Sequence, residues 1–172
     1  MADSAMAAYD RSMALPAVLT PALDTREAVA DALHRFMLGM DTNDSELFDS
    51  AFTQDVRWDL FGRQMHSLEE VHVECFDKTI VHLDTTHYAT SIRINVAESG
   101  TEASLSCLYN AKHYRLGTGT DPTAPWFWTG GTYYLEMVKV ESEGLWKIKL
   151  FKMRKLWIEG DFEVMGHGPK KN

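Results

Sequence analysis

The stretch LDTTHYATSIRINVAESGTEASLSCLYNAKHYR, Leu83 to Arg115, holds two runs of alternating β-branched, aromatic and polar residues, joined at Ser99-Gly100. This pattern reads as an antiparallel pair of long strands, over roughly 84–98 and 102–115, with Ser99-Gly100 as the tight turn. Along the first run Tyr88, Thr90, Ile92, Ile94 and Val96 fall on one face; Thr85, His87, Ala89, Ser91 and Arg93 fall on the other. A histidine therefore heads the face opposite the apolar one, and that face either meets water or lines a polar pocket. Along the second run Ala103, Leu105, Cys107, Tyr109, Ala111 and His113 share one face. A phenol and an imidazole buried there need partners. A pocket would supply them; an ordinary core Tyr bonded to backbone is the alternative.

Two more strands follow, over 126–140 and 144–158, with Glu143-Gly144 as a second tight turn. The loop Leu116 to Pro125 is rich in Gly, Thr and Pro and has little to pack with, so it reads as a mobile lid at a pocket mouth. Upstream, Asp24 or Thr25 can cap a helix with Glu27 in its first turn, and Val29, Leu33, Phe36, Met37 and Met40 form its apolar stripe up to about Asp41. Asn43 with Glu46 opens a short second helix, DVRWDL is a short strand, and Ser67 caps a third helix through about Val81. Helices first and then an antiparallel meander give an α+β fold, with helices packed on one side of a strongly curved sheet. A sheet bent around helices encloses a cone able to hold a small molecule. Residues 1–22, with Pro16 and Pro21, read as an N-terminal arm, 23–162 as one domain and 163–172 as a tail.

The chain of 172 residues has the length of one domain, and its formal net charge of -8 argues against a nucleic-acid partner. The one basic run, Lys147 to Lys155, alternates with apolar residues and reads as the wet side of a strand. The N-terminus lacks a basic segment followed by an apolar core, and no apolar run nears the ~20 residues that span a bilayer, so no signal peptide and no membrane span are expected. Cys75 and Cys107 show no CxxC or Cys/His spacing, which points to free thiols in a reducing, cytoplasmic setting. His66, His72 and His82 have no ligand-like spacing with carboxylates, and neither a phosphate loop nor a nucleophile elbow is present. No metal site and no cofactor are expected.

Three segments carry a resemblance. HRFMLGMDTNDSELFDSAFTQDVRWDL resembles the opening of NTF2-like proteins of the SnoaL-like group, where a helix ends in an Asp and a short helix leads into a strand. TTHYATSIRINV resembles that group's histidine-bearing strand, and EGLWKIKLFKMRKLWIEGDF its last strand. The resemblance covers roughly residues 24–162 and implies an α+β cone with a deep pocket. The group contains polyketide cyclases, scytalone dehydratase, tailoring isomerases of fungal natural products, and non-catalytic relatives. Asp41 and His87 fall where scytalone dehydratase has its Asp and one catalytic His. Met40 and Leu60 stand where that enzyme has tyrosines, which puts dehydration in doubt and leaves the pocket intact.

The candidate chemistry follows from these placements. His87 would face the pocket, with Asp41 fixing its tautomer so that it acts as a general acid or base. An Asp at a helix C-terminus opposes the macrodipole, so Asp41 is either functional or a cap for the next helix. Tyr109 and His113 join them from the next strand. Strand 126–140 puts Trp126, Trp128, Thr132, Tyr134, Glu136 and Val138 on one face, where Glu136 is either at a wet edge or desolvated as a proton-transfer group. Arg35 would pair with Glu136 or bind a substrate carbonyl; an i,i+4 pair with Asp31 is the alternative. Trp126, Trp128 and Tyr134 would wall a flat aromatic ligand, or serve core and interface packing. The resulting expectation is a cofactor-independent isomerase or cyclase acting on a hydrophobic polycyclic secondary metabolite, by cyclisation, semipinacol-type rearrangement or enolisation. A dehydratase and a non-catalytic ligand carrier or scaffold are the alternatives. Phe127, Tyr133, Leu135 and Met137 on the opposite face leave apolar excess outside the sheet, which predicts a homodimer.

Overall fold

The computed structural model describes residues 13–166, so residues 1–12 of the expected arm and 167–172 of the expected tail lie outside it. Asp24 opens helix α1, Thr25–Asp41, with a reciprocal capping box to Glu27. The expected stripe of Val29, Leu33, Phe36, Met37 and Met40 is buried. Asn43 turns the chain with φ of 54°, and Asp44, not Asn43, caps α2, Ser45–Ser50, by accepting from Leu47 N. Gly39 allows α2 to lie directly on α1: a Cβ there would sit 2.6 Å from the Phe48 backbone nitrogen.

Strand β1, Phe52–Leu60, turns through Phe61 and Gly62, both at positive φ, into a three-residue strand β2, Arg63–Met65. Sequence alone missed β2, because three residues carry no usable alternation. Ser67 caps α3, Leu68–Val71, as expected. The helix does not run on to Val81. It widens into a π-helical turn, His72–Phe76, then breaks before a 3-10 turn, Ile80–His82. His72 at that widening is bonded to Asp49 of α2 (2.6 Å) and packs edge-on against Phe48.

Four long strands complete the sheet: β3 (Leu83–Val96), β4 (Glu102–Arg115), β5 (Trp126–Val140) and β6 (Leu145–Gly160). The order is β2-β1-β6-β5-β4-β3, with β1 parallel to β6 and all other pairs antiparallel. The helices cover its concave face, forming the expected α+β cone. Phe36 sits at its centre, with the rings of Phe48, Phe52, Trp58, Tyr133 and Phe151 at centroid distances of 5.3 to 6.1 Å.

Bulges decide which side chains face inward. Between Thr90 and Arg93, β3 carries one residue more than β4, and Ser91 takes φ of 54°. An extra residue reverses the alternation. Thr85, His87 and Ala89 therefore share the concave face with Ile92, Ile94 and Val96, which strict alternation assigned to opposite faces. On β5 the expected faces hold, but their sides are exchanged. Phe127, Tyr133, Leu135 and Met137 are the buried concave set, and Trp126, Trp128, Tyr134 and Glu136 point out from the convex side. The chain also continues past 162 as a 3-10 turn, Phe162–Met165, whose Val164 is buried against Leu83 and Phe127.

Candidate functional site

The cone encloses a cavity of about 380 Å³, walled by Phe36, Met40, Trp58, Leu60, Tyr133 and Phe151 among others. Four of its polar residues, His87, Tyr109, His113 and Thr129, come from the three adjacent strands β3, β4 and β5. Phe61, Arg63, Glu74, Lys155, Phe162 and Met165 also line it. Arg115 holds the Phe162–Met165 turn in place by donating to Glu163 O (2.8 Å) and Gly166 O (3.3 Å).

Asp41 explains its own position at the end of α1. One carboxylate oxygen accepts from His87 Nδ1 at 2.6 Å, and the other accepts the His87 backbone N–H at 2.7 Å. A carboxylate can only accept here, so Nδ1 carries the hydrogen and Nε2 is left for the cavity. The two bonds fix the ring's direction as well as its tautomer, and any positive charge formed at Nε2 would be met by Asp41.

His113 stands edge-on to His87, ring centroids 5.6 Å apart. Its Nδ1 donates to Phe127 O at 3.3 Å, leaving Nε2 as an acceptor. Burial pushes its pKa down to about 3, with the nearby His87 adding to the effect and the Phe127 bond opposing it. His113 is thus a neutral imidazole at any working pH, fit to accept a hydrogen bond and unfit to act as a cationic acid. Tyr109 lies flat on Tyr133, centroids 4.1 Å apart. Its hydroxyl is buried without a hydrogen bond of standard geometry. Burial raises its pKa and the nearby Thr129 hydroxyl offsets part of that, so the phenol stays protonated and able to donate. Tyr133 is raised well above the usual phenol range, by burial first.

The structure therefore gathers Asp41, His87, Tyr109 and His113, and separates the other candidates from them. Glu136 is on the convex face, beside Arg57, Gln64 and Lys152 rather than inside the cone. Trp126, Trp128 and Tyr134 are on the same outer side; Lys112 lies 5.2 Å from the Trp126 ring and 6.0 Å from that of Trp128. Arg35 is buried inside the fold, donating to Asp31, to Ser50 and to Trp146 O (2.7 Å). It clamps α1 to the α2–β1 and β6 backbones and does not reach the cavity. Gly117, Gly119 and Thr120 of the expected lid line an outer groove, where Gly119 N donates to Asp84. Thr129 and Lys155 were missed. Thr129 was legible in principle, since it sits opposite Ala111 on the face of Tyr109 and His113. Lys155 was not, because bulges in β6 reset its alternation.

An NTF2-like cone with a carboxylate-held histidine at its floor is the class of protein that this geometry defines. The chain belongs to the SnoaL-like domain family, which matches residues 21–152. It is 40% identical over 153 residues to terrestric acid biosynthesis cluster protein E of Penicillium crustosum, covering 89% of this chain and 97% of that one. Two solved structures from Novosphingobium aromaticivorans share the fold. A candidate aromatic ring hydroxylase superposes with a TM-score of 0.69 at 20% identity, covering 83% of this chain and 96% of its own. A candidate scytalone dehydratase gives 0.64 at 21% identity, covering 79% and 89%. Among the described residues no helix is long and apolar enough to cross a membrane, and no three His, Cys, Asp or Glu side chains are grouped to hold a metal ion.

Proposed function

We propose that this chain is a cofactor-independent isomerase or cyclase of secondary metabolism, acting by acid–base catalysis on a hydrophobic polycyclic ketone or enol. The observation that carries the reading is the Asp41–His87 pair, which turns the His87 Nε2 toward a cavity walled largely by apolar and aromatic side chains. His87 Nε2 removes a proton from a carbon beside the substrate carbonyl. The C–H electron pair becomes the enolate double bond, and negative charge moves to oxygen. Tyr109 donates its hydrogen bond to that oxygen, where it counts most. In a conjugated ketone the imidazolium then returns the proton to the far carbon of the dienolate, which shifts the double bond; alternatively the enolate carbon adds to a second carbonyl carbon, whose π pair moves to its oxygen and takes the proton from His87, closing a ring. Asp41, bonded to Nδ1, stabilises the imidazolium.

Dehydration is the second reading. It is weaker because Met40 and Leu60, where scytalone dehydratase has tyrosines, both line the cavity with apolar atoms. A non-catalytic carrier or scaffold would be expected to keep His87 outside an apolar cone. Cys75 and Cys107 offer no nucleophile, since burial pushes both thiols up to about 11. As free thiols they fit a cytoplasmic setting.

The test uses bicyclic ketones such as 2-tetralone in D₂O, with deuterium incorporation beside the carbonyl read by mass spectrometry. Tyr109→Phe is expected to slow enzyme-dependent exchange by roughly 10²-fold. It should leave stability within about 1 kcal/mol of the parent, because among the described residues the only group near the buried hydroxyl is that of Thr129. Glu136→Gln, on the convex face, should leave the rate within about twofold of the parent. A Tyr109→Phe rate equal to the parent's would remove the phenol from the mechanism.

The same reading includes a homodimer. Tyr88, Leu108, Trp128, Tyr134 and Trp157 are all at least 36% exposed on the convex face, an apolar surface that a second copy would cover. Light scattering should give a dimer at micromolar concentration, and Trp157→Glu should shift it to monomer. A parent that is already monomeric there removes this part of the proposal.

A further inference from the structure

The cavity holds one ammonium group that the proton-transfer scheme leaves idle. Lys155 lines the cavity from β6, with Nζ 4.6 Å from the Phe61 ring centroid. Among the described residues it has no carboxylate partner. The other cation of the lining, Arg63, is bonded to Glu74, which also accepts from Lys78 at 3.1 Å. In a chain of formal net charge -8, where nearby carboxylates are plentiful, an unpaired lysine at a cavity is worth explaining.

The strand register connects this lysine to the reacting groups. Tyr109 on β4 is paired with Gly131 on β5, and Gly131 with Lys155 on β6. All three therefore lie in one line across the concave face. Gly131 leaves that line open. A Cβ there would come within 2.0 Å of Arg154 O and 3.0 Å of the Tyr109 ring, so the residue between them in this line contributes no side chain. Two strand spacings separate the backbones of Tyr109 and Lys155, roughly 10 Å.

We infer that the substrate is acidic: it carries an anionic oxygen group, a carboxylate or an ionised enol, bound by Lys155, with its reacting carbonyl about two fused rings away beside Tyr109 and His87. This rests on the cavity being the substrate site, as proposed above. The chemistry is local. Lys155 is exposed at the cavity edge beside the Phe61 ring, where its ammonium has no carboxylate to compete for it and can give a charge-assisted hydrogen bond to an oxyanion that enters the cavity. The protein's overall negative charge repels anions at long range, so Lys155 is the group that must select them. Lys155 is a binding residue in this scheme, and it touches the end of the substrate remote from the proton transfer.

The test compares 2-naphthoate with its methyl ester, two probes with the same rings and different charge, by displacement of N-phenyl-1-naphthylamine fluorescence. The parent should bind the acid at least about tenfold more tightly than the ester. Lys155→Met, which keeps the apolar stem, should bring the two within about twofold while leaving the ester's affinity unchanged. The preference should also shrink as salt rises, because the ammonium is near solvent. Equal affinities in the parent, or a preference that survives Lys155→Met, overturn the inference. His87→Ala separates this from the catalytic reading, since it should slow exchange by roughly 10²-fold or more and keep the acid preference. If exchange depends on His87 but acid and ester bind alike, only the anionic substrate class is lost.

Discussion

Replacing His87 by alanine is expected to slow deuterium exchange by roughly 10²- to 10⁴-fold, the scale of a general base in a positioned site. The protein should still fold, because the ring's main polar contact is with one residue, Asp41, and Asp41 keeps the backbone N–H of residue 87 as a partner. Asp41→Asn is the sharper variant. It preserves shape and can still accept that backbone N–H, but its amide presents a donor toward Nδ1. The imidazole then satisfies it by moving its hydrogen to Nε2, and the cavity loses its base. A comparable drop, of roughly 10²-fold or more, is expected with little change in ground-state binding. The measurement is the exchange rate at saturating ketone alongside the melting temperature. Variants that melt like the parent and exchange like it would leave the dyad as a structural clasp between α1 and β3.

Phe36→Ala should produce the largest loss of stability, about 3–5 kcal/mol. Phe36 is 1% exposed and is the hub where helix and sheet meet, its ring touching those of Phe48, Phe52, Trp58, Tyr133 and Phe151. Those neighbours come from α2, β1, β5 and β6, so no single element can shift to fill the space. Phe36 also forms part of the cavity wall, and its loss would enlarge a void that already exists. Thermal unfolding should fall by roughly 10 °C or more. A fall of under 3 °C would mean that the aromatic cluster repacks freely and that the cone is not held from its centre.

The helix that carries Phe36 was legible in the sequence because everything that specifies it is local. Its capping box, its 3.6-residue apolar stripe and its end at Asp41 lie within one segment. The four long strands were legible for the same reason, since alternation and Gly turns are read from neighbours. The candidate site was legible only in part. Tyr109 and His113 follow from simple alternation on a strand without bulges, and Asp41 with His87 came from a resemblance between segments.

What the sequence by itself determined is the three helix starts, five of the six strands, their α+β order, and the inward face of β4. Which side of β5 faces the helices was not determined, because both of its faces are rich in aromatic residues and a period of two distinguishes faces without saying which is inside. Glu136, Trp126, Trp128 and Tyr134 were assigned to the cavity on that ambiguity. The tertiary structure decided it through register: β5 pairs with β4 so that Phe127, Tyr133, Leu135 and Met137 share the side of Leu105 and Tyr109. The bulge at Ser91 and those in β6 were decided in the same way. An extra residue is accommodated only where a neighbouring strand and the packing beneath it fix the register on either side, and that energy is non-local. His87 and Lys155 face the cavity for this reason.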